Sequence, residues 1–108
     1  IYVGSYDNNL YALDKETGEE KWSFSTSGPI ATTPLLVDKT LYFGSIDKTF
    51  YSIDIGSGKL KKQLATEDAI YSSPIISNEA IFFGSNDNYF YSVKMWSSYL
   101  AKIDKSNA

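Results

Sequence analysis

The amino-acid sequence predicts an all-β protein built from repeated sheets of four antiparallel strands, and three observations carry that prediction. The first is a period of 40 residues: Ile1-Tyr2-Val3-Gly4-Ser5 returns as Leu41-Tyr42-Phe43-Gly44-Ser45 and as Ile81-Phe82-Phe83-Gly84-Ser85, with Asp7, Asp47 and Asp87 in step behind them. A period of this size decides the architecture before any local assignment does. The second is composition, since 16% aromatic residues (nine Tyr, six Phe and two Trp) with a single Met is the usage of pleated, packed sheets. The third is spacing. The apolar runs at 81–85 and 90–93 are nearly continuous, as in strands buried on both faces, yet only residues 86–89 separate them. A parallel crossover needs a dozen residues or more, so these strands form an antiparallel hairpin.

Each element can be placed in turn. Four short strand signals recur per repeat; in the last stretch they cover 71–77, 81–85, 90–93 and, more weakly, 99–103. Leu10-Tyr11-Ala12-Leu13-Asp14 matches Phe50-Tyr51-Ser52-Ile53-Asp54 and Phe90-Tyr91-Ser92-Val93, while Pro29-Ile30-Ala31-Thr32-Thr33-Pro34 matches Ala69-Ile70-Tyr71-Ser72-Ser73-Pro74. Antiparallel sheets that repeat in sequence and are buried on both faces stack radially, which predicts β-propeller blades at about 1–30, 31–70 and 71–108. Pro34 and Pro74 lack the ladder N–H and are expected in the innermost, edge strand of a blade, with Thr32-Thr33 and Ser72-Ser73 on the channel wall. Gly4, Gly44 and Gly84, where a strand meets a turn, are expected to hold a backbone conformation that a Cβ would oppose.

Composition also excludes classes of function. The 108 residues carry a net charge of -3, and all ten basic residues are Lys, scattered singly except at Lys61 and Lys62. Without Arg there is no planar fork for phosphate or guanine, and without a basic stripe no electrostatic footprint, so a nucleic-acid partner is not expected. No apolar run approaches the roughly 18 residues that span a bilayer, so membrane insertion is not expected either. The chain has no Cys and no His. That removes disulfides, thiolate metal sites and the commonest general base together.

Repeat one resembles a known family. Ala12, Asp14, Thr17, Gly18 and Trp22 match every fixed position of the A-x-D-x-x-T-G-x-x-x-W docking motif of the PQQ-like, quinoprotein-type β-propeller repeat. Repeat two keeps Asp54, Ser57 and Gly58 but has Ser52 for the Ala and Lys62 for the Trp, and in repeat three Ser92, Lys94, Ser97, Ser98 and Lys102 occupy the motif positions. The residues explain the motif independently of the name. Asp14 with Thr17 and Gly18 makes a tight turn, with Gly supplying positive φ. Trp22 and Phe24 then fall on one face of the outer strand and can pack on a neighbouring blade. Trp22 is therefore expected to be a packing residue rather than a ligand platform, and the outer strand carrying Lys62 to be the more exposed one.

The resemblance implies two kinds of function. Quinoprotein dehydrogenases of the family hold PQQ and Ca²⁺ on the propeller axis with carboxylates, an aromatic platform and, in many members, a vicinal disulfide; that reading rests here on fold analogy alone. The Asp-Asn clusters at 7–9 and 86–88 offer oxygen ligands but lack the spacing and distal Glu of an EF-hand, and their recurrence in a hairpin turn points to Asx-turn chemistry. No catalytic, cofactor-binding or metal-binding residue is therefore assigned, no cofactor is expected, and the chain is expected not to be an enzyme. The non-catalytic branch, which includes outer-membrane assembly lipoproteins, implies a protein-binding scaffold in an extracytoplasmic compartment, periplasmic or cell-surface, with a sensory or adhesive ectodomain as a further alternative. Repeat one starts at the second strand of a blade and residue 1 is Ile. An incomplete ring of nearly three blades is the resulting expectation, with further blades supplied by additional sequence or by self-association.

Overall fold

A computed structural model describes residues 1–94 and the backbone of 100–104. Three sheets follow one another along the chain. Blade one comprises β1 (Tyr2–Gly4), β2 (Asn9–Leu13) and β3 (Glu20–Ser25); blade two comprises β4 (Leu35–Val37), β5 (Thr40–Gly44), β6 (Thr49–Asp54) and β7 (Leu60–Ala65). Blade three comprises β8 (Ile75–Ser77), β9 (Ala80–Gly84), β10 (Tyr89–Lys94) and β11 (Leu100–Asp104). Every sheet is an antiparallel meander with its strands paired in chain order. The register repeats with the sequence: Gly4 faces Leu10, Gly44 faces Phe50 and Gly84 faces Phe90. Even the bulge recurs, after Ala12 in the β2–β3 pairing and after Ser52 in the β6–β7 pairing. These are blades of a partial β-propeller.

The core lies between the sheets rather than within one. Alternation along β5 and β6 sends Leu41, Phe43, Tyr51 and Ile53 towards blade one, where they meet Leu10, Ile30 and Phe24. Tyr42 and Phe50 point the other way, into a second cluster with Ile70, Ile81, Phe83, Tyr91 and Val93. Blade two is thus buried on both faces, which is why its hairpin reads as an unbroken apolar run. Outer strands behave differently. β7 is exposed at every position but Leu64, whereas β3 tucks in both Trp22 and Phe24.

Three expectations need correcting. Gly4 and Gly44 do not have positive φ. What excludes a side chain there is the connector that leaves each blade: a Cβ would lie 2.4 Å from Ile30 Cγ2 at Gly4 and 2.2 Å from Ile70 Cγ2 at Gly44. Thr32 does not line a channel; it is buried, and its hydroxyl donates to Gly44 O at 2.8 Å while accepting from Gly44 N at 3.2 Å. The innermost strands are also shorter than expected, beginning at Leu35 and Ile75, so Pro34 and Pro74 precede the ladder and the segment 71–74 is a connector. Tyr99, placed in the weak fourth strand, lies outside the described residues.

Candidate functional site: the blade junctions

The recurrent Asp of each hairpin turn makes the same set of bonds. Asp7, Asp47 and Asp87 each accept from the backbone N–H two residues on, at Asn9 (3.0 Å), Thr49 (2.9 Å) and Tyr89 (3.0 Å). The second carboxylate oxygen of each takes the hydroxyl of Tyr11, Tyr51 or Tyr91, four residues further along. In the later repeats it also reaches back across the junction, accepting from Ser27 N at 3.1 Å and from Glu67 N at 3.2 Å. Asx-turn chemistry was legible in the sequence. The Asp-to-Tyr spacing repeats at 7/11, 47/51 and 87/91 and could have revealed the second partner as well. Ser45 and Ser85, both buried, complete the corner by donating to connector carbonyls, Gly28 O at 3.2 Å and Asp68 O at 3.1 Å.

The docking motif divides between two blades. Asp14 Oδ1 accepts from Glu16 N (2.9 Å) and Thr17 N (3.0 Å), and Gly18 takes φ of 76° while donating to Asp14 O at 2.8 Å. Asp54, Ser57 and Gly58 repeat that turn, with Ser57 N and Oγ donating to Asp54 Oδ2 at 2.9 and 3.0 Å and Gly58 at φ of 71°. Trp22 packs on the turn of the next blade rather than its own. Its Nε1 donates to Ile55 O at 2.9 Å, and its ring lies so close to Gly58 that a Cβ there would stand 2.7 Å from Trp22 Cδ2. Ala12, buried and paired with Trp22 across β2–β3, leaves the space under the indole, and Tyr2 flanks the ring at 5.9 Å.

These bonds set the response to pH. Burial first, and then the bond to Asp47 or Asp87, pushes the Tyr51 and Tyr91 hydroxyls far above the ordinary phenol range. The folded pKa is raised, so the stabilisation is complete below the unfolded value of about 10 and is lost as pH rises beyond it. The backbone N–H groups of Thr17 and Ser57 hold the exposed Asp14 and Asp54 carboxyls below their usual range. That contribution is present above about pH 4 and is lost on further acidification. Alkaline titration should therefore release tyrosinate absorbance from these two rings only together with loss of the β-sheet circular dichroism. Ionisation of every tyrosine near pH 10 with the sheet signal intact would contradict the buried Tyr–Asp pairs.

The turns gather at two ends of the blades. One end carries the β4–β5 and β6–β7 turns, joined by Ile55 N donating to Lys39 O at 3.1 Å. The other carries the Asp turns and the inter-blade connectors, joined at Thr26 N to Asn8 O and at Thr66 N to Lys48 O. Tyr6 and Tyr71 stand exposed among the latter. A groove of about 180 Å³ opens between blades two and three, lined by Tyr42, Phe50, Leu64 and Val93 with Lys61, Lys62 and Lys94 beside them. Among the described residues no group of three His, Cys, Asp or Glu side chains could hold a metal ion, and no helix is long and apolar enough to cross a membrane.

No curated protein matches the chain at a significant level. A family model described as outer membrane protein assembly factor BamB matches residues 1–97. That span takes in the three hairpins, both docking turns and Trp22, so with its blade register and docking geometry the chain belongs to this family of PQQ-like β-propeller repeats.

Proposed function

We propose that the chain is a non-catalytic propeller segment that holds other proteins on its loop-bearing ends and inter-blade grooves, in an extracytoplasmic setting. The observation that carries this reading is the use made of the repeated carboxylates. Asp7, Asp47 and Asp87 are bound by turn amides and tyrosine hydroxyls, and Asp14 and Asp54 by turn amides. Carboxylate oxygens already engaged by several donors within the protein are not free to take a substrate proton or to ligate an ion. The family description, an assembly factor of the outer membrane, supports both the protein partner and the compartment.

A photoactivatable cross-linker at Tyr6 or Tyr71, at the connector end, tests the reading. One defined protein should be captured at near-stoichiometric yield from an envelope extract, and much less from the same label on the exposed β7 position Gln63. Titration with PQQ and Ca²⁺ should leave the quinone absorbance unchanged. Saturable binding of PQQ in the micromolar range, or oxidation of an alcohol by the loaded chain, would overturn the reading in favour of a quinoprotein dehydrogenase.

A further inference from the structure

The three Asp turns share one backbone conformation and differ at the residue that is left-handed. Asn8, Lys48 and Asn88 occupy that place in repeats one, two and three, with φ of 77°, 76° and 75°. Asn tolerates this region because its short polar side chain can bond locally, and the long unbranched chain of Lys has no such compensation. The fold does not call for a lysine here. The carbonyl of Lys48 accepts from Thr66 N at 2.7 Å and from Thr66 Oγ1 at 2.9 Å, and the carbonyl of Asn8 accepts the same pair from Thr26 at 2.8 and 3.0 Å. An Asn thus does the same main-chain work one repeat earlier. The Lys48 side chain is exposed, and its ammonium has no partner among the described residues. It is also the one basic residue that the described chain carries at the connector end, which holds Asp7, Asp47 and Asp68; the other lysines stand on strands or in the turns of the opposite end.

We propose that Lys48 is a specificity-determining residue of the connector end and contacts an Asp or Glu side chain of the protein partner. A residue held in a sparsely populated backbone region persists where something outweighs the local cost, and such residues gather at contact and switch sites. Nothing within the described fold repays Lys48, so the compensation lies outside it. The surrounding aspartates sharpen the effect. With the ammonium in place a partner carboxylate is attracted; without it the same carboxylate approaches an end of like charge, which costs binding and rejects the wrong register. The inference rests on the protein-binding reading above and names one contact and its chemistry.

Three substitutions in the full chain, each with the cross-linker at Tyr71, separate charge from backbone strain. Lys48→Gln removes the charge and keeps a long side chain on the same backbone; capture of the envelope protein should fall at least about fivefold, with the melting temperature within about 1 °C of the parent. Lys48→Arg keeps the charge and should retain most of the capture. Lys48→Asn relieves the backbone, so it should raise the melting temperature by about 3 °C or more while reducing capture as the Gln variant does. Carbodiimide coupling joins an amine to a carboxylate in contact with it. Mass spectrometry of the coupled complex should therefore find an isopeptide bond from Lys48 Nζ to an Asp or Glu of the captured protein. Equal capture by Lys48→Gln, coupling through other lysines only, or no gain in melting temperature for Lys48→Asn would each overturn the proposal. So would a clear drop in the melting temperature of Lys48→Gln, because the lysine would then serve the fold. Any of these outcomes with capture by the parent chain intact leaves the scaffold reading standing; no capture by the parent chain removes both.

Discussion

Phe50→Ala will destabilise the chain by about 3 to 5 kcal/mol, the range for deleting a large buried aromatic side chain. Phe50 is 1% exposed, and its ring lies parallel to that of Phe83 with centroids 4.0 Å apart and planes 4° from coincidence. Phe83 in turn stacks on Tyr91 at 5.2 Å, and Tyr42 stacks with Phe50 at 6.3 Å. The ring is a direct apolar link from blade two to blade three. Stability in a repeat array is approximately a sum of intrinsic repeat terms and nearest-neighbour interface terms. Loss of this link should therefore release blade three first, seen in urea melts as a lower midpoint, a smaller slope and a separate early transition. Phe90 occupies the same position one repeat later but is 39% exposed, and Phe90→Ala should cost less than about 1.5 kcal/mol by the same logic. Equal losses from the two substitutions would show that junction packing is not the source of the effect.

The contrast between Phe50 and Phe90 also marks what the sequence can and cannot tell. The period of 40, the hairpins and the Asx turns follow from residues close to one another in the chain, and all are present. Burial is different, because it depends on which repeat stands across the junction. Leu10, Phe50 and Phe90 align in sequence, yet the first two are buried and the third is partly exposed. The glycines illustrate the same limit. A Gly at a strand end suggests positive φ, but at Gly44 the constraint is Ile70, 26 positions away, whose Cγ2 occupies the space a Cβ would need. Thr32 likewise looks like a surface residue until its hydroxyl is found clamping Gly44 of the following blade. The docking motif was legible as residues but not as a contact: its spacing shows a turn and a tryptophan, and only the stacking of blades shows that Trp22 serves the turn of repeat two. In the candidate site the lysine substitutions were visible, whereas the groove they border required the third dimension.

Trp22→Ala is expected to cost about 3 kcal/mol, the lower end of the range for large aromatics because the ring is only half-buried. Two losses combine. The indole leaves the cluster of Leu10, Phe43 and Ile53, and Ile55 O loses the 2.9 Å bond from Nε1. Trp22→Phe separates them, since it retains an aromatic ring beside Tyr2 and removes only the donor; a cost of about 1 kcal/mol is expected, the net worth of a typical hydrogen bond, with a small addition for the lost area. The turn that receives the ring offers an independent check. Gly58→Ala adds a methyl 2.7 Å from Trp22 Cδ2 at a residue with φ of 71°, so it should destabilise through both crowding and backbone strain. At Gly18, φ is 76° but nothing lies within 4 Å, so Gly18→Ala should carry the backbone cost alone. In the Trp22→Ala background the crowding at Gly58 disappears, and Gly58→Ala should then cost no more than Gly18→Ala. Thermal melts of the single and double variants read this coupling directly. Strict additivity between Trp22→Ala and Gly58→Ala would mean that the ring does not rest on the turn, and would return Trp22 to the pool of exposed aromatics open to a ligand.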